Sequence, residues 1–165
     1  MKNLESDAFV FFGATGDLAY QQIFPALQAM IAQGHFDMPI IGVAKPAWSL
    51  EQLRARAQES LEKHGGVDSR AFAVLSARLQ YVSGDYGSPE TFRQLRKALG
   101  VASRPLYYLA IPPDLFATVA AGLANAECDK GARTSYPVLA NRAAVRAQFL
   151  SRWHWVGAYP LRDLR

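Results

Sequence analysis

The chain has 165 residues, half of them apolar and 19% charged, which is enough for one domain with a full core and excludes a disordered protein. No apolar run approaches the roughly 18 residues that cross a bilayer, and Met1 to Asp7 carries two acids and no apolar h-region, which argues against a secretory signal. The formal net charge of +4 sits at one end: residues 1–133 balance 13 basic against 13 acidic side chains, whereas residues 134–165 hold five arginines and a single acid, Asp163. The body shows no basic stripe, so neither a nucleic-acid nor a membrane partner is expected. Cys128 is the only cysteine, which forbids an internal disulfide, gives no metal-ligating cluster and fits a cytoplasmic protein.

In chain order, Ala8 to Phe12 is a continuous apolar run ending at Gly13, the pattern of a strand buried on both faces in a parallel sheet. From Leu18 the spacing turns helical through Ile23, Leu27 and Met30, with Gly34 as the stop. Pro39 to Ala44 reads as a second buried strand. Ser49, three residues before Gln52, forms a capping-box pattern that opens a helix running towards Lys63 and stopping at Gly65-Gly66. A shorter helix over Arg70 to Arg78 leads to a third strand, Leu79 to Ser83. Gly84 to Gly87 is a turn, and Ser88 as cap with Pro89 as first residue starts the next helix, closed by Gly100. Leu106 to Ile111 is a fourth strand, and Pro112-Pro113 precedes a helix from Asp114 to Asn125. Strands alternating with helices imply right-handed crossovers and an α/β, doubly wound parallel sheet. The composition changes at Arg133.

The segment between the first strand and the first helix is Gly13-Ala14-Thr15-Gly16-Asp17-Leu18-Ala19. In a dinucleotide-binding, Rossmann-like fold this is the place of the pyrophosphate. Gly13 permits the tight turn, Gly16 lets backbone amides approach phosphate, small Ala19 allows close helix–strand packing, and the helix N-terminus attracts the anion. The alternative is a tight strand–helix turn with no ligand. The second strand ends in Ala44-Lys45 with no acid before Glu51. An NAD site puts Asp or Glu there for the ribose hydroxyls, whereas a cation meets a 2′-phosphate, so NADP is favoured over NAD. The alternative for Lys45 is a solvated loop lysine.

Together these residues resemble the N-terminal coenzyme domain of glucose-6-phosphate dehydrogenases. The likeness is carried by Phe11 to Ala19, Phe24-Pro25-Ala26-Leu27, Ile41 to Lys45, Tyr108 to Pro113 with Phe116, and Lys130 to Arg133. It implies a cytoplasmic, two-domain enzyme that oxidises glucose 6-phosphate to the lactone with hydride transfer to NADP. Gly13, Ala14, Thr15, Gly16, Asp17, Leu18 and Ala19 would hold the pyrophosphate, and Lys45 stands where the family has a basic residue for the 2′-phosphate. Ala110, Pro112 and Phe116 would line the path from adenosine to nicotinamide, with Asp85 and Tyr86 on the adenine side. Two departures are visible. Tyr20-Gln21-Gln22 stand where the family commonly has basic residues. After Arg133 the family continues into a further strand and a Glu-Lys-Pro-Phe-Gly turn, and much later into an Arg-Ile-Asp-His-Tyr-Leu-Gly-Lys-Glu segment. None of these is recognisable here. The expectation is therefore a coenzyme domain over residues 1–133 whose sheet is incomplete at its C-terminal side. An unmatched Arg-rich tail follows over 134–165, with no catalytic half, so that glucose 6-phosphate is a partner only of a full-length enzyme. A non-catalytic NADP-binding module, or a truncated product without function, is the alternative. The sequence does not give the oligomeric state.

The remaining candidates read plainly. His64 follows Lys63 at a helix end, where a cation favours the dipole, His35 lies in a solvated turn, and Cys128 is a small buried residue rather than a reactive thiol. Asn141 is expected to cap a short tail helix from Arg142 to Trp153, with His154 beyond it and no partner to make it a base.

Overall fold

The structure, a computed structural model, describes residues 6–135. The expected tail helix and His154 lie outside them. Five parallel strands, β1 (Ala8–Phe12), β2 (Ile40–Ala44), β3 (Leu79–Ser83), β4 (Pro105–Leu109) and β5 (Arg133–Ser135), stand in the order β3-β2-β1-β4-β5. This is the α/β, doubly wound architecture the sequence implies. The order in which strands are added to the sheet reverses between β1 and β4, and in folds of this kind ligands bind outside the carboxyl ends of the strands at that switch point.

β1 is central because it is apolar on both faces. Phe9 and Phe11 point into the core under α1 (Phe24–Ala32), α2 (Leu50–Lys63) and α3 (Ser69–Arg78). Ala8, Val10 and Phe12 point into the opposite core under α4 (Pro89–Leu99) and α5 (Phe116–Asn125). That division follows from the two-residue period of a strand. β1 pairs with β2 from Phe9↔Ile40 to Phe12↔Val43, and with β4 from Ala8↔Pro105 to Phe12↔Leu109.

The capping box is present in full, with Ser49 Oγ accepting from the Gln52 amide and the Gln52 side chain accepting from the Ser49 amide. Ser88 departs from expectation. Its side chain caps nothing, and α4 starts on Pro89 alone. The first helix also differs, because residues Ala19–Ile23 form a π-helical turn before α1 begins at Phe24. Pro25 has no N–H to continue the ladder, and the helix widens by one residue just before it. His64 ends α2 with Nδ1 2.7 Å from the Ser60 carbonyl, and Cys128 is buried, both as expected.

β5 corrects the reading of the chain's end. Thr134 is buried and pairs opposite Tyr107, so the sheet runs through Arg133 instead of stopping there. A strand of three residues, Arg-Thr-Ser, carries no apolar run, which is why the pattern missed it.

Asp7 fixes the approach of β1 to β4. Its carboxylate accepts from the amides of Ser103 (2.8 Å) and Arg104 (2.7 Å) and from the Ser103 hydroxyl. Burial pulls the Asp7 pKa up, but these donors outweigh it and hold the carboxyl below its ordinary value. A depressed folded pKa contributes stability above the ordinary aspartate range, and that stability is lost as pH falls through the folded value. Asp7→Asn is expected to cost about 1–2 kcal/mol at pH 7, and the gap from the parent should close as pH falls below the ordinary aspartate range and through the folded Asp7 value. Urea midpoints measured across that range check it.

Candidate functional site

Gly13 lies where three strands end together. Its φ is +82°, and its amide donates to the Val43 carbonyl at 2.9 Å and to the Tyr86 hydroxyl at 2.9 Å. The Ala110 carbonyl closes the other side, so that a Cβ on residue 13 would stand 2.2 Å from that oxygen. Only glycine satisfies both the left-handed backbone and this approach. Ala14, fully buried, also sends its amide to Val43, and the Gly16 amide returns to the Gly13 carbonyl at 3.0 Å. These bonds fold the turn back on itself and present Thr15, Gly16 and Asp17 at its tip, ahead of the first helical turn.

Gly42 on β2 makes room for this turn. A Cβ there would lie 2.8 Å from the Ala14 Cβ and 3.1 Å from Leu53. The signal was legible as an isolated glycine inside a strand pattern, which marks a close backbone approach.

The end of β2 carries the charges. Lys45 is exposed and its Nζ lies 3.0 Å from Asp85 Oδ2. The Asp85 pKa is lowered by the Gly87 amide, and further by Lys45 as hydrogen-bond donor and as charge. Tyr86, next to it, lies beneath the glycine turn. Its ring packs edge-on against Phe12 at 5.6 Å, and its hydroxyl accepts from Gly13 and donates to Val43 at 3.3 Å. Burial raises the Tyr86 pKa, the Gly13 amide opposes that, and Asp85 adds to it, so the phenol stays protonated through neutral pH. Tyr86 props the turn from beneath.

At the end of β4, Ala110 donates to the Phe12 carbonyl at 3.1 Å and meets Gly13 directly. Pro112 is exposed and opens a 3-10 turn, Pro113–Leu115, which delivers Phe116, half-buried against the core, as the first residue of α5. The structure therefore gathers Gly13 to Ala19, Lys45, Asp85 and Ala110 around one switch point. The cradle that a Cβ would fill, the helix beginning beyond it and the exposed cation at β2 fit a dinucleotide. Among the described residues, no group of three His, Cys, Asp or Glu is placed to hold a metal ion.

Comparison with known proteins agrees. A family profile described as "Glucose-6-phosphate dehydrogenase, NAD binding domain" matches residues 10–139. This chain belongs to the glucose-6-phosphate dehydrogenase family. The glucose-6-phosphate 1-dehydrogenase 1 of Mycobacterium tuberculosis is 36% identical over 173 aligned residues, covering 96% of this chain and 37% of the relative. The glucose-6-phosphate 1-dehydrogenase of Saccharomyces cerevisiae is 36% identical over 121 residues, covering 66% of this chain and 24% of the relative. The chain thus spans between about a quarter and little more than a third of the length of these curated relatives. Among solved structures, a glucose-6-phosphate 1-dehydrogenase from Mycobacterium avium superposes with a TM-score of 0.77 at 36% identity, over 90% of this chain and 33% of that one. A glucose-6-phosphate dehydrogenase in complex with its substrate glucose-6-phosphate gives 0.69 at 25% identity, over 90% and 34%. The profile match runs to residue 139, beyond the change of composition at Arg133.

Two substitutions separate the parts of the turn. Gly13→Ala should lower stability by more than about 3 kcal/mol, since both backbone strain and a clash with the Ala110 carbonyl must be relieved. Tyr86→Phe removes one hydroxyl beneath the turn and should cost roughly 0.5–1.5 kcal/mol. Urea unfolding of each variant against the parent reads both.

Proposed function

We propose that this chain is the coenzyme-binding part of an NADP-linked glucose-6-phosphate dehydrogenase, a reading carried by the Gly13 turn lodged against Ala110 beside a β2 that ends in Lys45. Within it, the amides of Thr15, Asp17 and Leu18 take the pyrophosphate. They lie at the tip of the turn and in the first helical turn, where N–H groups have no earlier carbonyl to bond. Gly13, Ala14 and Gly16 shape the turn, and Ala19, fully buried, lets the helix pack close to the sheet. Lys45 takes the 2′-phosphate, exchanging its carboxylate partner Asp85 for the phosphate. That exchange is feasible because an exposed ion pair contributes little by itself. Ala110, Pro112 and Phe116 line the side of β4 along which the coenzyme extends towards its reactive end.

When bound, NADP supplies a hydride acceptor at its nicotinamide ring. This chain's own residues bind the phosphates, fix their orientation and hold the coenzyme across the switch point. Oxidation of glucose 6-phosphate to the lactone is what we assign to a protein carrying the rest of the family's length, because it also needs a base for the sugar hydroxyl and a held substrate. A cytoplasmic location accords with the lone, buried Cys128 thiol. No helix among the described residues is long and apolar enough to cross a membrane.

Calorimetric titration of the chain with NADP and NAD tests the reading. Saturable binding with a preference for NADP is expected. Lys45→Glu should weaken NADP by roughly tenfold or more and change NAD by less than about twofold, since one charge-assisted bond is at stake. Equal affinity for the two coenzymes in the parent would remove the assignment of Lys45.

A further inference from the structure

From Gly13 to Ile23, the turn and the helix that follows it, the only ionised side chain is Asp17. A coenzyme with three phosphate groups would meet an acid there and no base. The cation nearest to Asp17 comes from a different helix. Arg56, two turns into α2, lays its guanidinium over the Tyr20 ring at 4.5 Å from the centroid, with the Trp48 ring 5.9 Å away. One Nη lies 3.9 Å from Asp17 Oδ1, close enough for an ion pair and too far for a hydrogen bond. The Nε is buried and has no hydrogen-bond partner. The side chain is three-quarters covered and its charged end is held by two aromatic faces, a preorganised planar cation at the mouth of the turn.

A packing role alone would be to cover Tyr20, whose hydroxyl is already bonded to Glu59 at 3.0 Å and whose ring is also flanked by Lys63 and His64. Packing does not require the guanidinium to face Asp17, the residue that follows Gly16. Trp48 points to a more specific role. It lies three residues after Lys45 in the same β2–α2 connection, and in a doubly wound fold the end of the second strand is where the adenosine ribose is read. Arg56 therefore spans the distance between the ribose-reading loop and the glycine turn.

We propose that Arg56 is a second ligand of the coenzyme's 2′-phosphate, closing on it from α2 while Lys45 closes from the end of β2. The inference rests on the NADP reading above. In the absence of coenzyme each cation faces an exposed carboxylate, Lys45 against Asp85 and Arg56 against Asp17. A 2′-phosphate replaces both carboxylates at once, and a guanidinium without a hydrogen bond to Asp17 gains directional ones. NAD, which lacks that phosphate, gains nothing from Arg56.

The test is a set of calorimetric dissociation constants for NADP, NAD, 2′,5′-ADP and 5′-AMP, measured on the parent chain, Arg56→Gln and Asp17→Asn. Arg56→Gln should weaken NADP and 2′,5′-ADP by roughly tenfold, the loss of one charged contact, and leave NAD and 5′-AMP within about twofold. Asp17→Asn removes the competing acid and should tighten NADP and 2′,5′-ADP a few-fold more than it changes NAD and 5′-AMP. Equal weakening of all four ligands by Arg56→Gln would move Arg56 to the pyrophosphate or to packing and overturn the proposal, and so would no change in any. Should Arg56→Gln fail to fold, Asp17→Asn decides alone, and unchanged NADP affinity in it counts against the proposal. A parent chain that binds neither NADP nor NAD would refute the coenzyme reading itself, whereas an NADP preference undiminished in Arg56→Gln refutes only the role of Arg56.

Discussion

Everything at the switch point depends on one close approach, that of the Gly13 α-carbon to the carbonyl of Ala110. β1 must end level with β2 and β4 for this to happen, and the register that pairs Phe12 with both Val43 and Leu109 achieves it. The Val43 carbonyl then holds two successive amides of the turn while Ala110 blocks the opposite side. The shape of the turn is thus a direct consequence of strand register, and register is set by the alternation of Phe9 and Phe11 against Ala8, Val10 and Phe12 between two cores.

The electrostatics of the site follow a second constraint, local neutrality. Two cations and two carboxylates surround the turn, all four joined in pairs at the surface. Surface pairs are weak because water screens them and flexible side chains must be ordered to form them. The two carboxylates are therefore easily displaced, while the Arg56 guanidinium keeps its place over the Tyr20 ring. Tyr86 contributes the opposite property. Its protonated phenol is wedged beneath Gly13 and gives the turn a fixed floor.

Much of this was legible in the sequence. Continuous apolar runs and period-3.6 patterns located the first four strands and the helices between them, because β1 and β2 are buried on both faces and the helices bury one. The glycine turn was legible because a positive φ and a close approach demand a residue without a side chain. β5 was not, since Arg133, Thr134 and Ser135 form no apolar run. The prop role of Tyr86 and the placement of Arg56 over Tyr20 were not legible either. They join residues 73 and 36 positions apart, and nothing local to either residue records the partner. The missing cap at Ser88 shows the converse case, in which a local pattern was present and the structure did not use it.

The pairing of β1 with β4 also dictates an order of events. Asp7 and Arg104 are 97 positions apart, and the strand that closes the glycine turn at Ala110 lies beyond them. Local helices and the β1–β2–β3 half can form from nearby segments, but contacts of such long separation form late because closing the loop costs entropy before any contact repays it. During synthesis the chain therefore emerges with its glycine turn already translated but without the carbonyl wall that shapes it. The geometry at the switch point comes into existence only once the fourth strand has been added to the sheet.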